Sequence, residues 1–333
     1  MTRIDIPMLI ESLRNKHIGF PRDTELRSVM NLACERMWIR KDPAQPHGRK
    51  NRHEQIPIIV SGSTGAGKSH SCRMLLASLG PELVDPDGNP GRVVSVTMPS
   101  PFSAKELARR ILRELDVKFS DDLTEVELWE VIVSNFAGHR VVLLHIDEFQ
   151  RYTTIKSVGR SEATKSIERL SATLNELLMA DEWPVCVMIS GTEEVLPFWR
   201  MKLVDQVHRR TKFVLFEPIT PRYYSALHTA LNAYCDIAGI SNAVLDDDLP
   251  GRIAMAAENT LGIALELMQE AVVRVVREGQ STLKIEDLAK TYAVRTGFGR
   301  DHNPFFAKDW AKIGVREKAA FEEYVEGRKE RGL

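Results

Sequence analysis

Ile56-Pro57-Ile58-Ile59-Val60-Ser61-Gly62-Ser63-Thr64-Gly65-Ala66-Gly67-Lys68-Ser69 is the stretch that decides the fold. An apolar run of strand length passes into G-x-x-x-x-G-K-[ST], and a helical pattern starts near Lys68. The motif therefore stands between a strand and a helix, the context that makes it a phosphate-binding loop. Its glycines let the backbone curl until successive N–H groups face a phosphate chain, and the helix N-terminus adds a partial positive charge. Residues from Gly62 to His70 are expected to cradle a nucleotide, with Lys68 reaching the β- and γ-phosphates and the Ser69 hydroxyl ligating magnesium. A plain glycine turn would leave the lysine and serine unexplained.

A second apolar run, Val141-Val142-Leu143-Leu144-His145-Ile146, ends in Asp147-Glu148. Side chains leaving a buried strand there emerge at the carboxyl edge of a parallel sheet. Asp147 fits the Walker-B role at magnesium, and Glu148 fits the base that polarises a water attacking the γ-phosphate. An acidic pair at a strand end is often only solvated. Here it follows the phosphate loop with room for one βα unit between, a strand over Arg92 to Met98 and a helix from about Ser103 to Leu115. Small-molecule kinases of this class usually lack the second carboxylate, so hydrolysis is favoured over transfer to a metabolite.

Pro184 to Thr192 reads as a further core strand, delivering Ser190 or Thr192 as a sensor that contacts the γ-phosphate or the attacking water; for either residue alone a plain Ser-Gly-Thr turn is the alternative. Arg209 and Arg210 precede the strand Lys212 to Phe216, from which an arginine reaches a neighbouring subunit's nucleotide; a surface pair is the alternative. In trans such a residue is worth roughly a thousandfold or more in rate.

These elements, in this order, resemble the AAA+ ATPases: an α/β fold with a parallel-sheet P-loop NTPase core and a small C-terminal helical lid. Asp147-Glu148-Phe149-Gln150, Leu174-Asn175-Glu176-Leu177 and Gly191-Thr192-Glu193-Glu194 narrow the likeness to the TniB/TnsC transposition regulators, from about Ile56 to about Thr291. The compact length is similar to the TnsC proteins of CRISPR-associated transposons. That resemblance implies ATP and Mg2+ as cofactors, a homo-oligomeric ring or helical filament on double-stranded DNA, and recruitment of transposase and a target-selection protein. One departure stands out. Gly262-Ile263-Ala264-Leu265 sits where a lid G-x-x-R would place a γ-phosphate arginine, unless Arg252 or Arg274 supplies it. Slow hydrolysis, suited to an assembly platform, would follow.

Composition sets limits. The chain of 333 residues is 43% hydrophobic and 27% charged, ordinary for a water-soluble protein with an α/β core and a smaller helical domain. Cys34, Cys72, Cys186 and Cys235 are scattered without a C-x-x-C, which indicates neither zinc site nor disulfide framework. Apolar runs are too short to span a membrane and the N-terminus lacks a signal-peptide layout, so a cytoplasmic location is expected.

A net charge of −1 argues against a strongly basic, non-specific DNA binder. Charge is uneven, however. Arg36 to Arg52 is a basic linker, while Lys105, Arg109 and Arg110 follow the second strand and Lys156, Arg160, Lys165 and Arg169 follow Asp147-Glu148. In ring-forming relatives those regions line the pore, where symmetry would repeat them along a DNA backbone. Four pieces are expected: a helical extension and linker (1–55), the nucleotide-binding core (56–218), a helical lid (219–293) and a tail (294–333). The lid includes a helix from Leu261 to Val276 with apolar Leu265, Met268, Val272 and Val276. The tail's aromatics, Phe298, Phe305, Phe306, Trp310, Phe321 and Tyr324, either staple it to its own domain or dock a transposase. The reading that unites these features is an ATP-dependent regulator of transposition. Its competitors are a replication-initiator or helicase-loader ATPase, and a signalling or defence NTPase that never touches DNA.

Overall fold

The chain opens with α1 (Ile6–Asn15) and α2 (Pro21–Met37), and five apolar runs then form a parallel sheet. A computed structural model of the protein describes residues 5–152, 160–196, 210–244 and 246–313, with 160–167 as backbone alone. It divides into two units, Arg22–Phe216 and Met1–Pro21 together with Glu217–Leu333.

The larger unit runs β1 (Pro57–Gly62), α3 (Lys68–Ala77), β2 (Arg92–Thr97), α4 (Ala104–Glu114), α5 (Glu125–Gly138), β3 (Val141–Asp147), α6 (Arg160–Met179), β4 (Cys186–Gly191) and β5 (Lys212–Phe216). The strand order is β2-β3-β4-β1-β5, all parallel. The three central strands are buried on both faces, which is why β1, β3 and β4 read as unbroken apolar runs. At the edges, β2 and β5 alternate between buried and open positions; Val214 is buried and Leu215 exposed. Because β4 lies between β1 and β3, its last residues emerge between the phosphate loop and Asp147-Glu148.

Helix starts are set by local chemistry. The Ser103 hydroxyl accepts the Glu106 N–H at 3.2 Å, and α4 then buries Leu107, Ala108, Ile111 and Leu112 along one stripe. Thr124 and Glu127 form a reciprocal capping box at the start of α5. The expected single βα unit between the phosphate loop and Asp147 is thus corrected: two helices, α4 and α5, separate β2 from β3, and the Thr-x-x-Glu signal of the second stands plainly in the sequence. The basic segment after α2 is pinned rather than loose, since the Asn51 side chain donates to the carbonyls of Asp42, Gln45 and Pro46. Glu182 faces Arg49 and Lys50 nearby. Arg52 is fully buried between the rings of Trp38 and Trp183, at 5.5 and 4.2 Å.

The smaller unit contains α1, α7 (Tyr224–Ala238), β6 (Ser241–Asn242), α8 (Leu249–Ala256), α9 (Leu261–Arg277), β7 (Thr282–Leu283) and α10 (Ile285–Thr296). Leu9 and Leu13 of α1 share its core with Leu231, Met268 and Leu288. Residues 1–55 are therefore not one extension, because α1 joins the helical unit and α2 from Arg22 onward joins the sheet unit. On α9, Met268 and Val272 are buried as expected, while Leu265 and Val276 are only partly so; Leu261, Ala264, Leu267, Ala271, Val273 and Val275 are buried as well.

The expected boundary at Val294 is also displaced. Phe305 is buried in the helical core, and the Asn303 side chain donates to the Ala289 carbonyl at 2.8 Å. Arg252 donates to the carbonyls of Pro304 and Ala307, with its guanidinium over the Trp310 ring at 5.7 Å. The aromatics up to Trp310 include staples of this unit, whereas Phe321 and Tyr324 lie outside the described residues. Phe305→Ala should cost about 3–5 kcal/mol of stability through cavity formation. Chemical denaturation followed by far-UV circular dichroism checks this, and an unchanged midpoint would return Phe305 to a surface role.

Candidate nucleotide site

Gly65 and Gly67 hold positive φ angles of 76° and 86° on the approach to α3. An L side chain is strained in that region, so glycine here is a backbone requirement that frees the first turn of α3 to offer its N–H groups. The Lys68 ammonium donates to the carbonyls of Gly62 and Ser63, at 2.9 and 2.8 Å, which keeps it folded over the loop. Burial pushes its pKa below the ordinary lysine value, and the carboxylates of Glu148 and Asp147 pull the other way.

Asp147 leaves the end of β3 facing the same loop. Burial works to raise its pKa, but hydrogen bonds from Ser190, Ser69 and the Glu148 N–H outweigh it and leave the carboxyl below its usual range. The Ser190 and Glu148 contacts measure 2.5 and 2.9 Å. Ser69 and Asp147 thus meet as hydroxyl and carboxylate, two hard oxygen donors of the kind magnesium takes, and the residues present fit that ion. Glu148 follows with φ of 56°, a left-handed conformation that is uncommon for a residue with a Cβ and typical of functional turns. Its carboxylate accepts from Gln150 Nε2 at 3.0 Å and lies 3.5 Å from Arg151.

Ser190 is placed differently from expectation. It is fully buried, donating its one hydroxyl hydrogen to Asp147 and facing His145 Nε2 at 2.9 Å. His145 Nδ1 in turn faces the Ser95 hydroxyl at 2.8 Å. Since the Ser190 hydrogen is committed to a carboxylate, Nε2 must carry the imidazole proton and Nδ1 must accept from Ser95. Ser190 therefore orients the carboxylate from behind rather than facing a phosphate. Thr192, one residue beyond β4, has a buried hydroxyl with no hydrogen-bond partner among the described residues, and is the better placed of the two to meet a ligand.

Two contributors were missed by sequence reasoning. Arg22, at the start of α2, is buried with its guanidinium over the Phe216 ring at 4.4 Å, and a side chain at Gly67 would come within 3.1 Å of it. It adds a second cation at the phosphate loop. No spacing motif could have found it, because α2 reaches the loop only through tertiary packing. His145 was read as one more residue of an apolar strand.

Other candidates are held elsewhere. Arg210 is ion-paired with Glu54, its side chain 45% exposed; Arg209 lies outside the described residues. Arg252 pairs with Asp246, and Arg274 with Thr291 and Glu278, so both are engaged within the helical unit. On α4, Arg109 and Arg110 lie beside Glu106, with Arg109 also donating to the Asp121 carbonyl and Arg110 to that of Thr97. Lys105 is half-buried on the same helix. Lys156 and the side chains of Arg160 and Lys165 lie outside the described residues.

Residues 51–197 match the family model of the AAA domain. The fold is that of an AAA+ P-loop NTPase. Among solved structures, the Aeropyrum pernix ORC1 protein in complex with DNA is similar at 18% identity and a TM-score of 0.54, over 84% of this chain and 65% of that one. The Aeropyrum pernix ORC2 protein in its ADPNP–ADP complexes is similar at 14% identity and a TM-score of 0.56, over 86% of this chain and 71% of that one. Cdc6p from Pyrobaculum aerophilum gives 14% identity and a TM-score of 0.56, over 84% and 70%. This chain therefore spans just under two thirds of the ORC1 chain's length. No curated protein matches. Among the described residues, no helix is long and apolar enough to cross a membrane.

Buried His145 supplies a pH test of this arrangement. Burial lowers its pKa from 6.5 to about 4, so an unfolded chain takes up a proton that the folded protein refuses until about pH 4. Its contribution to stability is intact above 6.5 and lost as the pH falls through that window, at a limiting slope of ~1.4 kcal/mol per pH unit. Asp147 and Asp85, whose folded values are depressed below 3.8, lose their contributions only at lower pH. Urea unfolding between pH 7 and 4.5 should show the loss, and His145→Gln, which takes up no proton, should flatten it.

Proposed function

We propose that this protein is an ATP-hydrolysing AAA+ regulator of DNA transposition of the TniB/TnsC kind, which assembles on double-stranded DNA with ATP and recruits transposase and a target-selection protein. The observation that carries the enzymatic half is the meeting of Ser69, Asp147 and a held Glu148 beside Lys68. Lys68 and Arg22 balance charge on the phosphates. Ser69 and Asp147 would hold a magnesium ion, which when bound would supply electrophilic stabilisation of the phosphate oxygens. Glu148 orients and deprotonates the attacking water, and Thr192 rather than Ser190 faces the γ-phosphate. Arg210, half-exposed in its pair with Glu54, or Arg209, completes the site of the next subunit.

The transposition half rests on the Asp-Glu-Phe-Gln, Leu-Asn-Glu-Leu and Gly-Thr-Glu-Glu pattern. A second reading, a replication initiator or helicase loader, is favoured by the fold likeness to ORC1, which was solved with DNA. Co-purification with transposase against co-purification with a replicative helicase separates them. In either role Lys68→Ala should abolish nucleotide binding, whereas Glu148→Gln should keep it and reduce turnover by roughly a hundredfold or more. Fluorescent-nucleotide titration and phosphate release check both, and full turnover in Glu148→Gln would remove that residue from its role.

DNA binding should require ATP or a slow-hydrolysing analogue and weaken steeply with salt. Lys105→Ala and Arg110→Ala should each lower the slope of log K against log salt by about one per subunit. Fluorescence anisotropy on a duplex measures this. Equal affinity with ADP and ATP would exclude nucleotide-controlled loading.

A further inference from the structure

We infer that Gln150 is a positioning residue: it fixes the Glu148 carboxylate against the end of β4, so that the Gly191-Thr192 peptide governs hydrolytic competence. The inference rests on the proposed role of Glu148 as the base and adds a residue that controls it. Gln150 Nε2 donates to Glu148 Oε2 at 3.0 Å, while Gln150 Oε1 accepts the Thr192 N–H at 3.1 Å. The orientation of the amide is fixed by chemistry, since a carboxylate only accepts and a backbone N–H only donates. One side chain therefore ties β4 to a glutamate that occupies a left-handed backbone position.

The seat for that amide is built into the sequence. A Cβ at Gly191 would lie 2.7 Å from Gln150 Oε1 and 2.5 Å from a Val195 methyl, so a side chain there would displace the amide. The adjoining Thr192 hydroxyl is buried without a hydrogen-bond partner among the described residues, leaving it for a phosphate oxygen or the attacking water. Any shift of Thr192 on meeting that group moves its own N–H, and with it the Gln150 amide and the Glu148 carboxylate. Arg151, which also lies 3.5 Å from Glu148, donates to the Met98 carbonyl at 3.1 Å beside β2, while Gln150 runs from Glu148 to the end of β4.

Gln150→Met keeps the bulk and deletes both hydrogen bonds, and Gln150→Glu keeps an acceptor for Thr192 while repelling Glu148. Both should lower kcat about tenfold to a hundredfold, the range expected for a misplaced reacting group, with nucleotide affinity and thermal midpoint nearly unchanged. The deciding measurement is a double-mutant cycle in which Gln150→Met is added to Glu148→Gln and residual phosphate release is followed under single-turnover conditions. If Gln150 acts through Glu148, the second substitution has no further effect. An equal fractional loss in both backgrounds, or a parallel fall in affinity and midpoint, would make Gln150 a structural residue and overturn the inference. Impaired Glu148→Gln with a fully active Gln150→Met overturns the inference alone, whereas full activity in Glu148→Gln brings down the assignment of the base as well.

Discussion

The buried Asp147 carboxylate, and the donors that keep it charged, is the constraint on which the rest of the site depends. A carboxylate taken out of water reverts to its neutral acid unless hydrogen bonds repay the lost hydration. Its donors come from separate elements: Ser69 from α3, Ser190 from β4 and the Glu148 N–H from the turn after β3. The charge therefore survives only while the phosphate loop, the inserted strand and the acidic turn are in register. Strand order makes this possible, because β4 stands between β1 and β3 and can serve both.

Behind Asp147 the chain of polar groups continues to Ser190, His145 and Ser95, crossing three neighbouring strands within a mostly apolar sheet. A neutral imidazole suits that place, since it can donate on one side and accept on the other without adding a charge to the interior. In front of Asp147 the balance is ionic. Lys68 loses proton affinity to burial and recovers some from Glu148 and Asp147, with Arg22 acting against it. Two acids and two bases packed around one loop make an arrangement that responds strongly to the arrival of a polyanion.

Much of this was legible in the chain. Unbroken apolar runs marked the central strands, and the glycine loop with its lysine and serine announced the chemistry. What escaped depends on packing rather than local pattern. Arg22 reaches the loop only because α2 folds back on the sheet unit, and Ser190 could not be told from Thr192 until side-chain direction was known. Ser190 lies within β4, where its hydroxyl meets Asp147 and His145, whereas Thr192 lies past the strand's end. The tail misled for a related reason. Aromatics among charges look the same whether they anchor a partner or, like Phe305, fill the chain's own core.

The surface charge of α4 bears on how such a protein would hold DNA. Glu106 is shared by Arg109, Arg110 and Arg113, so the basic stripe read from the sequence is partly neutralised by its own helix. A phosphate backbone would have to compete with Glu106 and with the carbonyls of Thr97 and Asp121 for those guanidinium groups, which lowers the gain per contact. One subunit with a net charge of −1 then offers weak attraction to a duplex. Useful affinity under the proposed function has to come from many copies acting together, each adding a few phosphate contacts at high effective concentration. On that argument subunit assembly is the source of DNA affinity, and control of assembly by the nucleotide site is sufficient to control binding to DNA.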